Sequence, residues 1–202
     1  NGKKLKEENY KNNLLDGDYI IWDKNGKIMY KTKLKNGTTY VKIIFEESGE
    51  YYIEEYSVKD GMNDGEYKTT YKDKIISQEN YKVGVLDGIQ SYYSEKGEKL
   101  SEKIYKNGML DGKYTIWNKD GKLMYETIFK DGTGLDKTYD EEGNLRIESQ
   151  MKNGKYDGET KMYDNNGITA LITYKENTFN GPTIYYRNGV KKTEYNYKNG
   201  IL

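Results

Sequence analysis

Asp111-Gly112-Lys113-Tyr114-Thr115-Ile116-Trp117-Asn118-Lys119-Asp120-Gly121-Lys122-Leu123-Met124-Tyr125-Glu126-Thr127-Ile128-Phe129-Lys130-Asp131-Gly132 holds two short runs of aromatic and β-branched residues between clusters of Asp, Asn and Gly. In the second run Leu123, Tyr125, Thr127 and Phe129 occupy alternate positions, the period of two that sets side chains on one face of a strand. Ile28, Tyr30, Thr32 and Leu34 repeat the spacing, as do Leu145, Ile147, Ser149 and Met151. A helix would need apolar spacings of three and four and would tolerate this much Gly poorly. Asp23-Lys24-Asn25-Gly26, Asn118-Lys119-Asp120-Gly121, Asp140-Glu141-Glu142-Gly143 and Asp164-Asn165-Asn166-Gly167 end in Gly where a type I turn closes with a left-handed residue. They are predicted to join the two strands of a hairpin. Asp16-Gly17, Asp64-Gly65, Asp87-Gly88, Asp111-Gly112, Asp157-Gly158 and Asn180-Gly181 are predicted to link one hairpin to the next, with Tyr40 and Gly134 at the equivalent steps of the second and sixth units.

Working outward, one phrase returns along the whole chain: a large apolar residue, Lys, a turn residue, then Gly or Asn. It begins at Tyr10, Leu34, Val58, Tyr81, Tyr105, Phe129, Met151, Tyr174 and Tyr197, in steps of 24, 24, 23, 24, 24, 22, 23 and 23 residues. A fixed period of this length marks a repeat array in which each supersecondary unit buries its apolar face only against its neighbours. The expected fold is all-β: an elongated, single-layer antiparallel sheet of about eight tandem hairpins of about 23 residues, twisted or coiled like a solenoid. One continuous array over residues 1–202 is expected, with a leading half-repeat at 1–15 and repeats starting near 16, 39, 64, 87, 111, 133, 157 and 180.

Composition narrows the chemistry. Lys plus Arg and Asp plus Glu are equal at 33 each, so the chain has no basic excess to displace counterions from nucleic acid. There is no Cys and no His, which removes disulfides, thiolate nucleophiles, imidazole bases and the usual zinc ligands. Carboxylates are plentiful, but they sit in turns and on polar strand positions, where solvation and turn chemistry account for them. The Asp-x-Asn-Gly turns imitate pieces of calcium loops without the Glu at the twelfth position. The expectation is a non-enzyme with no cofactor and no metal. Asn1 to Asn13 read as the closing half of a unit, so material removed upstream is expected, and export and cytoplasm are both compatible.

Five residues after the linking positions stand Trp22, Phe45, Tyr93, Trp117, Tyr139, Tyr163 and Tyr186, and in the third unit Tyr71 arrives one residue late. These eight form an expected aromatic ladder. Its rings either stack on one another and shield the sheet, or line a concave surface that receives a partner. Between Tyr40 and Gly65, Glu46, Glu47, Glu50, Glu54 and Glu55 gather beside Tyr51, Tyr52 and Tyr56; this reads as a solvated hairpin or as an acidic contact patch for a basic partner.

Gly-punctuated hairpins of about 23 residues with Tyr and Trp at these steps resemble MORN repeats. Tyr105-Lys106-Asn107-Gly108-Met109-Leu110-Asp111-Gly112 is similar to the variant MORN repeats of bacterial proteins, some of which are labelled antitoxins. The chain departs from the better-known pattern in using Lys-Asn-Gly and Asp-Gly in place of a regular Gly-x-Gly ending. The resemblance implies an antiparallel sheet of stacked hairpins and a scaffolding role in protein or membrane contact. A protein partner bound through the aromatic ladder is the expected function, with a cell-wall or glycan-binding surface as the alternative and a lipid surface as a further candidate. Pairing between chains through open sheet edges is a further expectation.

Overall fold

A computed structural model describes residues 4–35, 37, 39–47, 50–140 and 142–202. The chain divides into two compact units, Asn1–Glu98 and Lys99–Leu202. In the first unit the strands are β1 (Lys6–Lys11), β2 (Leu14–Trp22), β3 (Ile28–Leu34), β4 (Thr39–Glu47), β5 (Glu50–Lys59), β6 (Met62–Tyr71), β7 (Lys74–Lys82), β8 (Val85–Leu86) and β9 (Gly88–Tyr93). In the second they are β10 (Lys99–Lys106), β11 (Met109–Trp117), β12 (Leu123–Phe129), β13 (Gly134–Tyr139), β14 (Leu145–Lys152), β15 (Lys155–Asp164), β16 (Gly167–Lys175), β17 (Thr178–Arg187) and β18 (Val190–Tyr197). Every pairing between these strands is antiparallel and nearly all follow chain order, so the described residues form an all-β meander of hairpins without a helix.

The recurring phrase is the link between hairpins. Asn107 and Gly108 have φ of 49° and 80°, and Asp60 and Gly61 of 51° and 78°, the two consecutive left-handed residues of a type I′ turn. Its handedness matches strand twist, which is why Asn-Gly and Asp-Gly recur there. The opposite hairpin ends behave as the sequence indicates: the Gly26 amide donates to the Asp23 carbonyl at 3.0 Å, and Gly26, Gly121 and Gly143 take positive φ.

The Asp-Gly steps, expected as links, lie inside strands instead, except Asp87-Gly88, where Asp87 separates β8 from β9. Ile104 of β10 stands alone opposite Asp111, Gly112 and Lys113 of β11, because Tyr105 pairs with Leu110 and Lys103 with Tyr114. The same bulge recurs opposite Asn9, Ser57, Gln150 and Thr173. Both residues of the step have work to do there. The Gly pairs with the large residue that opens the next phrase: Gly17 with Leu34, Gly65 with Tyr81, Gly112 with Phe129, Gly158 with Tyr174 and Gly181 with Tyr197. A large side chain thus covers backbone that Gly leaves bare. The Asp caps the following link turn: Asp64 Oδ2 accepts the Val83 amide at 3.1 Å, and Asp111 Oδ1 accepts the Asp131 amide at 3.3 Å. At Asp64-Gly65 and Asp111-Gly112 both members of the dipeptide thereby stitch a repeat to its successor.

Twice the meander turns a corner and starts a new sheet, between β3 and β4 and between β12 and β13. In both places the chain after the link is two residues shorter: Gly134 follows Gly132 by two where Gly112 follows Gly108 by four, and Thr39 stands at the corresponding place after Gly37. The second corner closes a tight turn in which Lys130 and Thr133 exchange backbone hydrogen bonds of 3.0 and 2.8 Å, and the chain then departs at Gly134. A Cβ at Gly134 would lie 2.8 Å from the Phe129 ring. Both corners carry the same ladder of amides: Gly37 donates to the Leu15 carbonyl and Gly61 to Gly37, as Gly132 donates to Leu110 and Gly154 to Gly132.

That equivalence exposes a longer period. Trp117 lies 95 positions after Trp22, and Leu15-Asp16-Gly17, Tyr19, Ile21, Lys24, Met29-Tyr30, Thr32, Gly37 and Lys42 recur identically 95 positions on. The core of the first unit is Tyr19, Ile21, Leu34 and Val41, with Ile43, Tyr56 and Val58 packed against it. In the second, Tyr114 and Phe129 are 2% and 1% exposed at the places of Tyr19 and Leu34. From there a row of mostly small residues, Asp136, Ser149, Thr160, Ile172 and Thr183, runs across paired strands.

Candidate functional site

The rings fall into two sets with different surroundings. One set lies near the links and holds the sheet together: Tyr56 stacks on Tyr67 at 4.9 Å, and Tyr156, Tyr174, Phe179 and Tyr197 follow one another with centroids 5.6, 5.1 and 5.2 Å apart. Such cross-strand aromatic pairs contribute about 0.5–1.5 kcal/mol each beyond the area they bury. Tyr67 is pushed up in pKa by burial and by Glu54, and Tyr81 by burial and by Glu79, whose carboxylate also accepts from Gln90 and Tyr92.

The other set stands at the hairpin tips. Trp22 pairs with Ile28, Trp117 with Leu123, Tyr139 with Leu145, Tyr163 with Ile168 and Tyr186 with Lys191, and each pair sits at a register shift next to its turn. All five rings are half-buried, and none joins a ring stack among the described residues. Ile28 and Leu123 are each 51% exposed, so the row presents flat rings beside bare aliphatics. Tyr93, also half-buried, precedes the tip turn Ser94–Glu98 in the same way.

Phe45 and Tyr71 lie elsewhere. Phe45 shares the alternation of Val41 and Ile43, which belong to the core side, whereas Trp22 falls on the positions between Tyr19 and Ile21. Phe45 stacks on Tyr52 at 5.4 Å and Tyr52 on Tyr71 at 4.9 Å, and Tyr71 is 7% exposed. The residues at the tip positions of these strands are Ile44, the counterpart of Tyr139, and Thr70, which meets Ile75 at a register shift as Tyr163 meets Ile168. A step of one residue moves a side chain to the other face of a strand: the count of five to Phe45 starts at Tyr40, one past Thr39, the counterpart of Gly134, and Tyr71 lies one past Thr70, the residue five after Gly65. Ile44 pairs with Ile53 and Ile53 with Thr70, and these three with Met29 line a groove of about 510 Å³.

Of the acidic cluster, the Glu46 and Glu47 side chains lie outside the described residues. Glu55 accepts from Lys42 at 3.0 Å, and its hydrogen bond from Tyr40, ahead of that from Lys42, holds its carboxyl below the usual range. Glu50 pairs with Lys72 at 3.0 Å, and Glu54 hydrogen-bonds Tyr67 from the opposite face to Glu55. The described carboxylates Glu50, Glu54 and Glu55 are thus divided between two faces and partnered within the sheet. The tip carboxylates are occupied in the same sense: Asp23 Oδ1 accepts the amides of Asn25 and Lys27 at 2.9 and 2.8 Å.

An antiparallel meander whose repeats are stitched by Asp-Gly bulges and whose tips expose a row of rings defines a β-hairpin repeat array. The family model for the MORN repeat variant matches residues 15–36, 86–107, 110–131, 133–153 and 183–199, half of the chain, and the chain belongs to this variant MORN repeat family. The unmatched stretch 37–85 contains the strands in which Ile44 and Thr70 interrupt the row. No curated protein matches the chain. Repeats of this family are in general non-enzymatic and commonly mediate protein or membrane interactions.

Proposed function

We propose that the chain is a non-catalytic scaffold whose row of hairpin-tip rings contacts a partner protein. The observation that supports this reading is the division of labour between the two sets of rings. Tyr56 packs on Tyr67, and Tyr156, Tyr174, Phe179 and Tyr197 pack on one another, with Tyr174 and Tyr197 also paired to Gly158 and Gly181. Trp22, Trp117, Tyr139, Tyr163 and Tyr186 stand half-buried beside the tip turns, outside any ring stack among the described residues. Large amphipathic rings held rigidly by strands supply contact area at small entropic cost, which is why Trp and Tyr dominate contact hot spots.

The test is affinity capture with the whole chain immobilised, comparing the native sequence with Trp117→Ala, Tyr139→Ala and Tyr163→Ala combined. The expected result is loss of the retained proteins with a cooperative melting transition kept. Retention of the same proteins by the folded triple variant would remove the tip row from the account. Retention of phosphatidylserine vesicles by the native chain and not by the variant would reassign the row to a membrane surface.

A further inference from the structure

Resting on the reading of the tip row as the contact face, we infer that the first unit holds a socket for an aromatic side chain, presented on an extended segment of a partner protein. In the second unit the row is filled by Tyr139 and Tyr163. In the first unit Ile44 and Thr70 stand at the corresponding tip positions, and the groove of about 510 Å³ opens over them. Phe45, Tyr52 and Tyr71 stack on the reverse face, and among the described residues the groove is bordered by Asp23, Lys24 and Asn25 of the first hairpin's turn and by Tyr51, with no ring at the positions of Ile44 and Thr70.

The lining fits a ring. Ile44, Ile53 and Thr70 form a contiguous floor across three paired strands. Met29, the extra residue in the bulge between Tyr30 and Ile28, is 41% exposed beside them, and a thioether is a favourable neighbour for an aromatic edge. Tyr51, 52% exposed, forms one wall, and the Lys72–Glu50 ion pair closes the rim near it. The groove is within the size range of sites that bury a small ligand group. It is open enough for a side chain to enter from a segment lying across the tips. What occupies the matching place 95 residues on is tyrosine, and this selects a ring over an aliphatic chain as the occupant.

The experiment is a methyl-resonance NMR titration of the full chain, labelled at Met and Ile methyls, with the peptide acetyl-Gly-Tyr-Gly-amide and with acetyl-Gly-Leu-Gly-amide as control. Shifts confined to Met29, Ile44 and Ile53 are expected, saturating at about 1–10 mM, the affinity that one buried ring sustains. The leucine peptide is expected to bind at least about fivefold more weakly, a difference of about 1 kcal/mol. Ile44→Tyr, which fills the socket as Tyr139 fills its own, is expected to weaken the tyrosine peptide at least about tenfold. Thr70→Tyr serves the same purpose should Ile44→Tyr fail to fold. Absence of shifts, equal response to both peptides, undiminished binding by folded filled variants, or shifts at Met124 and Ile168 instead would each overturn the socket. So would concentration-dependent shifts of the same methyls without peptide, which would make a second copy of the chain the occupant. If capture through Trp117, Tyr139 and Tyr163 holds while the peptide fails, the socket alone is lost; failure of capture removes the reading beneath it.

Discussion

Residues 14–44 and 109–139 share an Asp-Gly bulge, a tip Trp, a bulged Met and a corner glycine, yet they differ where it matters for surface and core. Val41 is 2% exposed in the first corner; its counterpart Asp136 is the carboxylate at the head of the small-residue row, and one of its oxygens has no hydrogen-bond partner. Burial pushes the Asp136 carboxyl up, and its charge adds to the burial that raises Tyr114. In the first corner the Tyr19 hydroxyl finds no acceptor among the described residues, whereas Tyr114 donates to the Lys137 carbonyl at 3.1 Å. Ile44 opens a groove where Tyr139 fills the row. The lesson is that backbone-determining positions are held fixed while side chains on either face change independently, as expected of a stack in which each hairpin meets only its neighbours.

The largest effect is expected at the corner glycines. Gly132 and Gly121 have nearly the same φ, 71° and 75°, but a Cβ at Gly121 meets open space while one at Gly132 runs into the backbone of Gly154. Gly132→Ala should cost about 3–4 kcal/mol and Gly121→Ala about 1–2 kcal/mol, since only the first adds a collision to the left-handed strain. Chemical denaturation distinguishes them; equal losses would mean that the corner is not a tight packing point. Gly37, whose Cβ would come 3.1 Å from the Gly61 amide nitrogen, should fall between the two and thereby rank the corners.

Next is the stitching carboxylate. Asp64→Ala removes the acceptor of the Val83 amide and should cost about 1 kcal/mol, the usual size of a lost capping bond. Asn at the same position should restore most of it, as Asn180 does natively for the Asn199 amide. No difference between Ala and Asn would deny the Asp its role.

The smallest effect separates the corners by pH. Because the folded-state pKa of Asp136 lies above its unfolded value, its contribution to stability is fully present below the ordinary aspartate range and is lost as pH rises through the raised value. Asp136→Asn should therefore gain up to about 1 kcal/mol at neutral pH and nothing at low pH. Val41→Asp, which copies the second corner into the first, should introduce there the same loss of stability as pH rises. Denaturation midpoints between acid and neutral pH check both; a constant offset between Asp136→Asn and the native chain would contradict the assignment.

Strand alternation, the hairpin architecture and the tip turns were legible in the sequence, because Leu123, Tyr125, Thr127 and Phe129 state a period of two and Gly121 states a left-handed turn end. The role of Asp-Gly was not. Asp-Gly and Asn-Gly carry the same local preference for a turn, and only pairing register distinguishes Asn107-Gly108, which turns the chain, from Asp111-Gly112, which bulges within a strand. The same limit applies to the tip row: Trp22, Trp117, Tyr139, Tyr163 and Tyr186 share a pairing geometry, but the shorter chain after Gly37 displaces a count by one, from Thr39 to Tyr40, and selects Phe45 over Ile44. The 95-residue period was available from Trp22 and Trp117 with their flanking Met29-Tyr30 and Met124-Tyr125, and it is the signal that identifies the interrupted positions.

The division of rings into mortar and contact surface is tested most directly by denaturant unfolding of two double variants of the full chain. Tyr174→Ala with Phe179→Ala, which breaks a stack spaced at 5.1 Å, should cost about 2–4 kcal/mol. Trp117→Ala with Tyr163→Ala should cost less than about 1.5 kcal/mol despite removing the larger rings, because neither stacks on another ring among the described residues. A tip-ring loss equal to or greater than the stack loss would contradict the account, since the tip rings would then be structural.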